Sequence, residues 1–150
     1  MPKIDLATVP EIHRTGYPAP YSEPVAGRHY RPLGAATGIK DFGVNLTRLE
    51  PGAWSSQRHW HTTEDEFVVM LEGEAVLITD AGETVMRPGD CAAFPGGLAD
   101  AHHLVNRSDR DALFIAVGSD KPADTCHYPD IDLHLPRNDG GFTRKDGTPY

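Results

Sequence analysis

Residues 59–66 read HWHTTEDE and lead into the apolar run FVVML, residues 67–71. His59 and His61 are two positions apart, and residues with this spacing in a β-strand point to the same face of the sheet. Glu66 opens the apolar run, whose composition is typical of a strand. Two imidazoles and a carboxylate carried by neighbouring strands can hold one divalent cation. We therefore expect His59, His61 and Glu66 to form part of a metal site.

A third imidazole is available in the pair His102-His103, which follows a segment rich in glycine and proline. The side chains of adjacent residues leave a strand on opposite faces, so only one of the two can point towards the other ligands. Both neighbours in the same strand, Leu104 and Val105, are apolar. Hydrophobicity alone therefore leaves the choice between the two histidines open.

The chain contains many short apolar or alternating runs and no window with the periodicity of a helix. Glycine, proline and acidic residues mark turns between successive runs. The predicted strands are residues 38–49, 55–61, 66–71, 75–79, 84–87, 91–94, 102–106 and 113–117. We expect the strands on either side of Gly73 to form a hairpin. The pattern predicts an all-β sandwich or barrel, and because no internal repeat is found, we expect one such unit.

These residues resemble the two signatures of the cupins. In the first signature, a glycine precedes the His-x-His pair, and a glutamate and a second glycine follow it. The second begins with a glycine, passes through a Pro-Gly turn and ends at His-x-x-x-Asn. The matching residues are Gly52, His59, His61, Glu66 and Gly73, then Gly89, Pro95, Gly96, Gly97, His102 and Asn106. The resemblance covers about residues 40–118, with one extra residue before His59 and two before His102.

The resemblance implies both a fold and a ligand set. Cupins are all-β proteins with a double-stranded β-helix, or jelly-roll barrel, and this chain resembles the small bacterial members with one barrel. The implied metal ligands are His59, His61, Glu66 and His102. His102 keeps the family spacing to Asn106, so we expect His102 to be the fourth ligand and His103 to pack on the outer face. Such ligands suit Mn, Fe, Co, Ni, Cu or Zn and do not choose among them.

The ends of the chain differ in composition from the barrel region, which we place at residues 34–119. Five prolines between positions 10 and 32 exclude a long helix from residues 1–33, and three tyrosines favour an extended arm packed along a surface. Residues 120–150 are polar but retain several apolar side chains, which favours a tail packed on the barrel or on a partner. In many cupins such arms cross to a second subunit, so the resemblance implies a homodimer.

Length and charge limit the classes of protein that fit. A chain of 150 residues suits one domain with its own core, and a formal net charge of −8 argues against nucleic acid and anionic membrane as partners. No apolar stretch approaches the length that spans a bilayer. The first residues lack an apolar signal region, so we expect a cytoplasmic protein. In that compartment Cys91 and Cys126 are expected to remain unpaired thiols.

Two further side chains are candidates for binding a small-molecule substrate. Gln57 shares its predicted strand face with His59 and His61. Arg48 either faces the pocket, where it would pair with an anionic substrate, or is a solvated charge on its strand.

The predicted function is that of a metal-dependent enzyme acting on a small polar, oxygenated substrate. Cupins with this ligand set include dioxygenases, decarboxylases, lyases and isomerases, and nothing in the residues chooses among these reactions. The alternative is a non-catalytic cupin that binds or senses a small molecule in the same pocket, because one fold hosts many functions.

Overall fold

A computed structural model describes residues 3–150 of the chain. Within them lie a 3-10 turn at Leu6–Thr8, one short helix, α1 (Leu33–Thr37), and eleven strands. The strands are β1 (Arg28–Pro32), β2 (Phe42–Leu49), β3 (Trp60–His61), β4 (Glu66–Glu72), β5 (Ala75–Thr79), β6 (Gly82–Met86), β7 (Cys91–Phe94), β8 (His103–Val105), β9 (Ala112–Ser119), β10 (Cys126–Tyr128) and β11 (Leu133–Leu135). The predicted all-β class is confirmed.

The strands form one sheet of five strands and two sheets of three. The five-stranded sheet has the order β1-β2-β9-β4-β7, and every neighbouring pair is antiparallel. The smaller sheets have the orders β6-β5-β8 and β11-β10-β3. Paired strands are often far apart in sequence: β2 pairs with β9 along its whole length. These antiparallel sheets make up the jelly-roll barrel that the sequence predicts.

The hydrophobic core lies between the five-stranded sheet and the β6-β5-β8 sheet. Leu49 of β2 and Met70 of β4 are fully buried there. Burying a side chain of this size contributes about 1.5–3 kcal/mol. Val68, Leu104 and Phe114 belong to the core and also line the main cavity. The core therefore forms one wall of the cavity that holds the candidate site.

The predicted hairpin around Gly73 is wrong. β4 pairs with β7 and β9, whereas β5 pairs with β6 and β8, so the two strands lie in different sheets. Gly73 adopts a φ of +68° in the turn that passes the chain from one sheet to the other. A register shift between Met70 and Glu72 also disturbs the end of β4. Turn residues predict that the chain changes direction, but they do not specify which strands pair.

The helix α1 is a second departure from the sequence-based expectation. Leu33–Thr37 form a single short helix between β1 and β2. Gly38, at a φ of +80°, ends the helix, and its N–H donates to the carbonyl oxygens of Ala35 and Gly34. Five residues are too few for an apolar periodicity to reveal a helix.

Both terminal segments contribute strands to the sheets. β1 pairs with β2 of the same chain, so Arg28–Pro32 form an edge strand of the five-stranded sheet. β10 and β11 pair with each other, and β10 also pairs with β3. The proposed division into residues 1–33, 34–119 and 120–150 stays a prediction.

The tail is anchored by a second apolar cluster. Its buried members are Cys126, Tyr128 and Leu133. Side chains from both ends of the chain pack against them, among them Tyr17 and Phe142. This cluster holds the tail against the barrel and, with it, the residues that precede β10.

Cys91 is exposed and Cys126 is buried, and both thiols are free, as predicted. Burial raises the pKa of the Cys126 thiol, which therefore stays protonated. Among residues 3–150, no helix has the length and apolar character needed to cross a membrane.

We predict that Gly73→Ala destabilises the protein far more than Gly89→Ala. Both glycines have positive φ angles, +68° and +94°, so either alanine costs about 1–2 kcal/mol of backbone strain. A Cβ atom at Gly73 would lie 2.3 Å from the carbonyl oxygen of Asp111, whereas one at Gly89 would meet nothing within 4 Å. Urea denaturation should show a loss of at least about 3 kcal/mol for Gly73→Ala. Equal losses in the two variants would contradict this close approach of the turn.

Candidate metal centre

Three imidazoles surround one carboxylate oxygen. The Nε2 atoms of His59, His61 and His102 lie 3.6, 3.6 and 2.8 Å from Oε2 of Glu66. His59 and His102 face each other across a backbone bridge in which each N–H donates to the carbonyl of the other, at 3.2 and 2.8 Å. His61 ends β3 and Glu66 opens β4. The structure thus brings the four predicted ligands to one point.

A hydrogen bond at the other ring nitrogen orients each imidazole. Nδ1 of His59 lies 2.9 Å from the carbonyl oxygen of Gln57. Nδ1 of His61 lies 2.6 Å from Oδ2 of Asp124. Nδ1 of His102 lies 3.4 Å from the carbonyl oxygen of Asp100. Because these oxygens accept, Nδ1 carries a hydrogen, and Nε2 is the ring nitrogen that faces Glu66. Histidines that bind metal ions in proteins are oriented in this way.

The electrostatics of the cluster keep its carboxylate ionised. Burial by itself would raise the pKa of Glu66, but hydrogen bonds from His102 and His59 hold that pKa well below its usual value. Burial lowers the pKa of His59, and the hydrogen bond to Glu66 outweighs this effect and raises it above the ordinary value. An ionised carboxylate is the form that binds a metal ion.

The four side chains line a cavity of about 470 Å³. Part of its wall is the hydrophobic core described above. Polar side chains on β1, β2 and the loop before β3 line another part: Arg28, Asn45, Thr47, Ser55 and Ser56. A cavity of this size with a few convergent polar groups suits a small molecule.

Comparison with known proteins identifies the family. The chain matches the family model of the cupin domain over residues 45–118. A solved structure of a sugar phosphate isomerase from a cupin superfamily, from Silicibacter pomeroyi, is 47% identical over 99% of this chain and 96% of that chain, with a TM-score of 0.94. This chain belongs to the cupin superfamily.

Other solved cupins are more distant. A putative sugar phosphate isomerase from Acidithiobacillus ferrooxidans is 31% identical over 79% of this cupin and 76% of that chain, with a TM-score of 0.73. A polyketide cyclase from Streptomyces resistomycificus is 21% identical over 83% of each chain, with a TM-score of 0.64, and shares the fold alone. A search of curated protein sequences found no match.

In this cupin the tail supplies a carboxylate that sequence reasoning missed. Asp124 is 1% exposed, and besides the ring of His61 it binds the turn after β3. Its Oδ1 accepts from the N–H and hydroxyl of Thr63, at 2.7 and 2.8 Å, and from the N–H of Glu64 at 3.1 Å. Burial would raise the pKa of Asp124, but the hydrogen bonds from His61 and Thr63 lower it below its usual value. Asp124 lies 63 positions from His61 in a segment with the composition of a linker, so no local pattern points to it.

Glu64 is a second buried carboxylate beside the centre. Its Oε1 accepts from the N–H of Lys121 at 2.6 Å and from Nδ2 of Asn138 at 2.9 Å, while Oε2 lies 3.7 Å from Nδ1 of His61. Burial raises the pKa of Glu64. Glu64 lies in the turn between β3 and β4, where strand alternation does not apply, so the sequence carries no periodic signal for it.

His103 lies on the cavity wall but does not reach the carboxylate of Glu66. Its Nδ1 is 2.9 Å from the carbonyl oxygen of Ser56, and its ring packs edge-on against Trp54 with centroids 4.8 Å apart. Burial lowers the pKa of His103, which favours the neutral ring. The prediction that His103 packs on the outer face is therefore wrong. It assumed that His102 and His103 alternate within one strand, but β8 begins at His103 and His102 lies before it.

Gln57 also departs from its expected position. The predicted strand at 55–61 is reduced to β3, Trp60–His61, and a series of bends precedes it. Alternation therefore does not extend back to Gln57, whose Nε2 donates to the carbonyl oxygen of Tyr21 at 2.8 Å. Its side chain is buried against the arm and does not line the cavity.

Arg48 lies on the outer face of β2. Its guanidinium pairs with Asp111 at 2.9 Å and with Glu11 at 3.0 Å. Its neighbours Thr47 and Leu49 point inwards, into the cavity wall and the core respectively, so Arg48 must point outwards. The sequence left two alternatives for Arg48, and the structure shows the second: a charged side chain on the outside of its strand, away from the pocket.

We predict that Asp124→Asn lowers the free energy of unfolding of the metal-free protein by about 2–4 kcal/mol. An amide cannot accept all the hydrogen bonds that the carboxylate accepts, and its NH₂ group would face other donors. Asp139→Asn is the matched control, because the Asp139 carboxylate is exposed and bonds only Arg137 in residues 3–150. Urea denaturation should show no change for Asp139→Asn. A similar stability of both variants would contradict the anchoring role of Asp124.

Proposed function

We propose that this cupin is a metal-dependent enzyme that binds a divalent transition ion through His59, His61, Glu66 and His102 and acts on a small oxygenated substrate. The observation that carries the proposal is the convergence of three Nε2 atoms on one carboxylate oxygen, while every Nδ1 faces an acceptor outside the cluster. Once the imidazoles release their Nε2 protons, three lone pairs and an ionised carboxylate form a set of metal ligands that suits a cation.

The donor set fits a transition ion. Mixed imidazole and carboxylate ligation suits Mn, Fe, Co, Ni, Cu or Zn, and four protein ligands leave positions open on a six-coordinate ion. When bound, such an ion supplies Lewis-acid polarisation of a carbonyl or hydroxyl oxygen. The chain itself would position the substrate, because the apolar wall excludes water and the polar side chains of β2 offer hydrogen bonds.

Isomerisation of a sugar phosphate is the first reaction to test. Two solved cupins more than 30% identical to this chain carry that description, and one of them matches nearly the whole of both chains. The fold alone does not favour isomerisation over oxidation or decarboxylation, because cupin barrels host many functions. The homodimer and the cytoplasmic location remain predictions.

We predict about one transition ion per chain in protein from metal-supplemented medium, measured by elemental analysis. In calorimetric titrations of apoprotein, His102→Ala should weaken metal binding by more than about tenfold, because a ligand is lost. His103→Ala, the adjacent control, should stay near wild type. Binding should weaken as the pH falls through about 6.5, because protons compete for the imidazole lone pairs.

The double variant His59→Ala/His61→Ala provides a second check on the same site. It should lose the bound ion while keeping its circular dichroism spectrum. Retention of the wild-type metal content would contradict the proposed ligand set, and a greater loss in His103→Ala than in His102→Ala would show that the register of this segment is shifted.

We also predict turnover of a sugar phosphate by the metal-loaded protein. A panel of aldose and ketose phosphates, followed by NMR, should show interconversion that stops on chelation and returns when the ion is restored. A protein that loads metal and binds these compounds without converting any of them would instead be the non-catalytic alternative. The unphosphorylated sugars serve as matched controls for the substrate.

A further inference from the structure

Within residues 3–150, Arg28 is the one arginine or lysine that lines the main cavity. It lies on β1 directly opposite Leu49 of β2, which is buried in the core. Residues directly opposite each other in antiparallel strands project to the same side of the sheet. The strand register therefore directs Arg28 towards the inside of the barrel, whereas Arg48, one position away from Leu49, points outwards.

No carboxylate of residues 3–150 forms an ion pair with the Arg28 guanidinium. Its Nη1 donates to the carbonyl oxygen of Ser55 at 2.8 Å, and its central carbon lies 5.6 Å from the ring centre of Tyr30. Arg48 and Arg58 each pair with acidic side chains. A guanidinium has five N–H donors, so Arg28 is held in place and still has donors for a ligand.

Neutral hydrogen-bonding groups lie on the same face of the sheet. Asn45 and Thr47 of β2 line the cavity, and Thr47 lies directly opposite Tyr30 of β1. A guanidinium beside amide and hydroxyl groups matches the oxygen atoms of a phosphate or a carboxylate, which it binds through two parallel hydrogen bonds.

The loop before β3 connects Arg28 to the metal centre. The carbonyl of Ser55 accepts from Arg28, and the hydroxyl of the next residue, Ser56, lies 3.3 Å from Nδ1 of His59. Arg28 and His59 both line the same cavity. One small molecule can therefore contact Arg28 at one end and the metal centre at the other.

The protein and the wall of the cavity are negatively charged. An anionic ligand therefore needs a positively charged group at the place where it binds. The chain carries a formal net charge of −8. Glu64, Glu66 and Asp120 also line the cavity. These carboxylates would repel an anion, so its binding requires a cation placed to meet it.

We infer that Arg28 binds the oxyanion of the substrate and thereby restricts the pocket to small oxygenated molecules that carry a phosphate or a carboxylate. The inference rests on the proposed function, which places the reacting end of the substrate at the metal centre. Arg28 is a specificity-determining residue in this scheme, and its contact with the ligand does not depend on the metal.

The test is calorimetric titration of the full-length protein with inorganic phosphate and, separately, malonate. Both titrations are carried out on the protein as purified and again after chelation, at about pH 8, which lies above the ordinary pKa of an imidazole. Arg28→Gln should weaken anion binding by about tenfold or more. Arg48→Gln removes the same charge from the outer face and should leave the affinity within about twofold of wild type.

Arg28→Lys keeps the charge but not the planar fork, so it should bind the anion with intermediate affinity. It also keeps the test decisive if Arg28→Gln fails to fold. Tighter binding of phosphate than of malonate identifies a phosphate group, and the reverse identifies a carboxylate; either result supports the inference. No binding to wild type, or equal affinities of wild type and Arg28→Gln, overturns it. Elemental analysis of the same samples shows independently whether the metal proposal holds.

Discussion

The structure depends on one half-buried carboxylate surrounded by imidazoles. Withdrawing much of an ionised Glu66 from water costs free energy unless its oxygens find partners, and those partners are His59, His61 and His102. Each imidazole presents Nε2 to Glu66 in only one orientation of its ring, and the acceptor at Nδ1 fixes that orientation. The acceptors come from the loop before β3, the loop before β8 and the C-terminal tail. Separate parts of the chain are therefore tied to a single point.

The two terminal segments complete the site. The tail provides the acceptor for His61, and the arm provides the cavity wall that carries Arg28. The two segments also meet beneath the centre: the ring of Tyr17 packs edge-on against Tyr128 at 5.9 Å, and Tyr128 lies 5.8 Å from the ring of His59. Because one barrel fold hosts many functions, segments outside the central strands can contribute to what distinguishes the site of one cupin from that of another.

Much of the fold could be predicted because it depends on neighbouring residues. Alternating runs and turn residues were sufficient for an all-β barrel, and the spacing of His59, His61 and Glu66 was sufficient to bring these side chains together. The same reasoning misplaced Gln57, because the strand that would carry it is only two residues long. It also paired β4 with β5, since a glycine turn reports a change of direction without naming the partner strand.

The sequence by itself determined the class of fold, because alternating runs and turn residues are local signals, and it placed His59, His61 and Glu66 close together in the chain. The resemblance to the cupins, not local spacing, added His102. The tertiary structure decided which distant residues join them. Arg28 faces the cavity because β1 pairs with β2 in one particular register, and Asp124 reaches His61 because β10 pairs with β3. In a sheet, a slip of one residue moves every side chain to the opposite face. A register between distant strands is therefore set by the packing of the whole chain, and a local sequence pattern does not contain it.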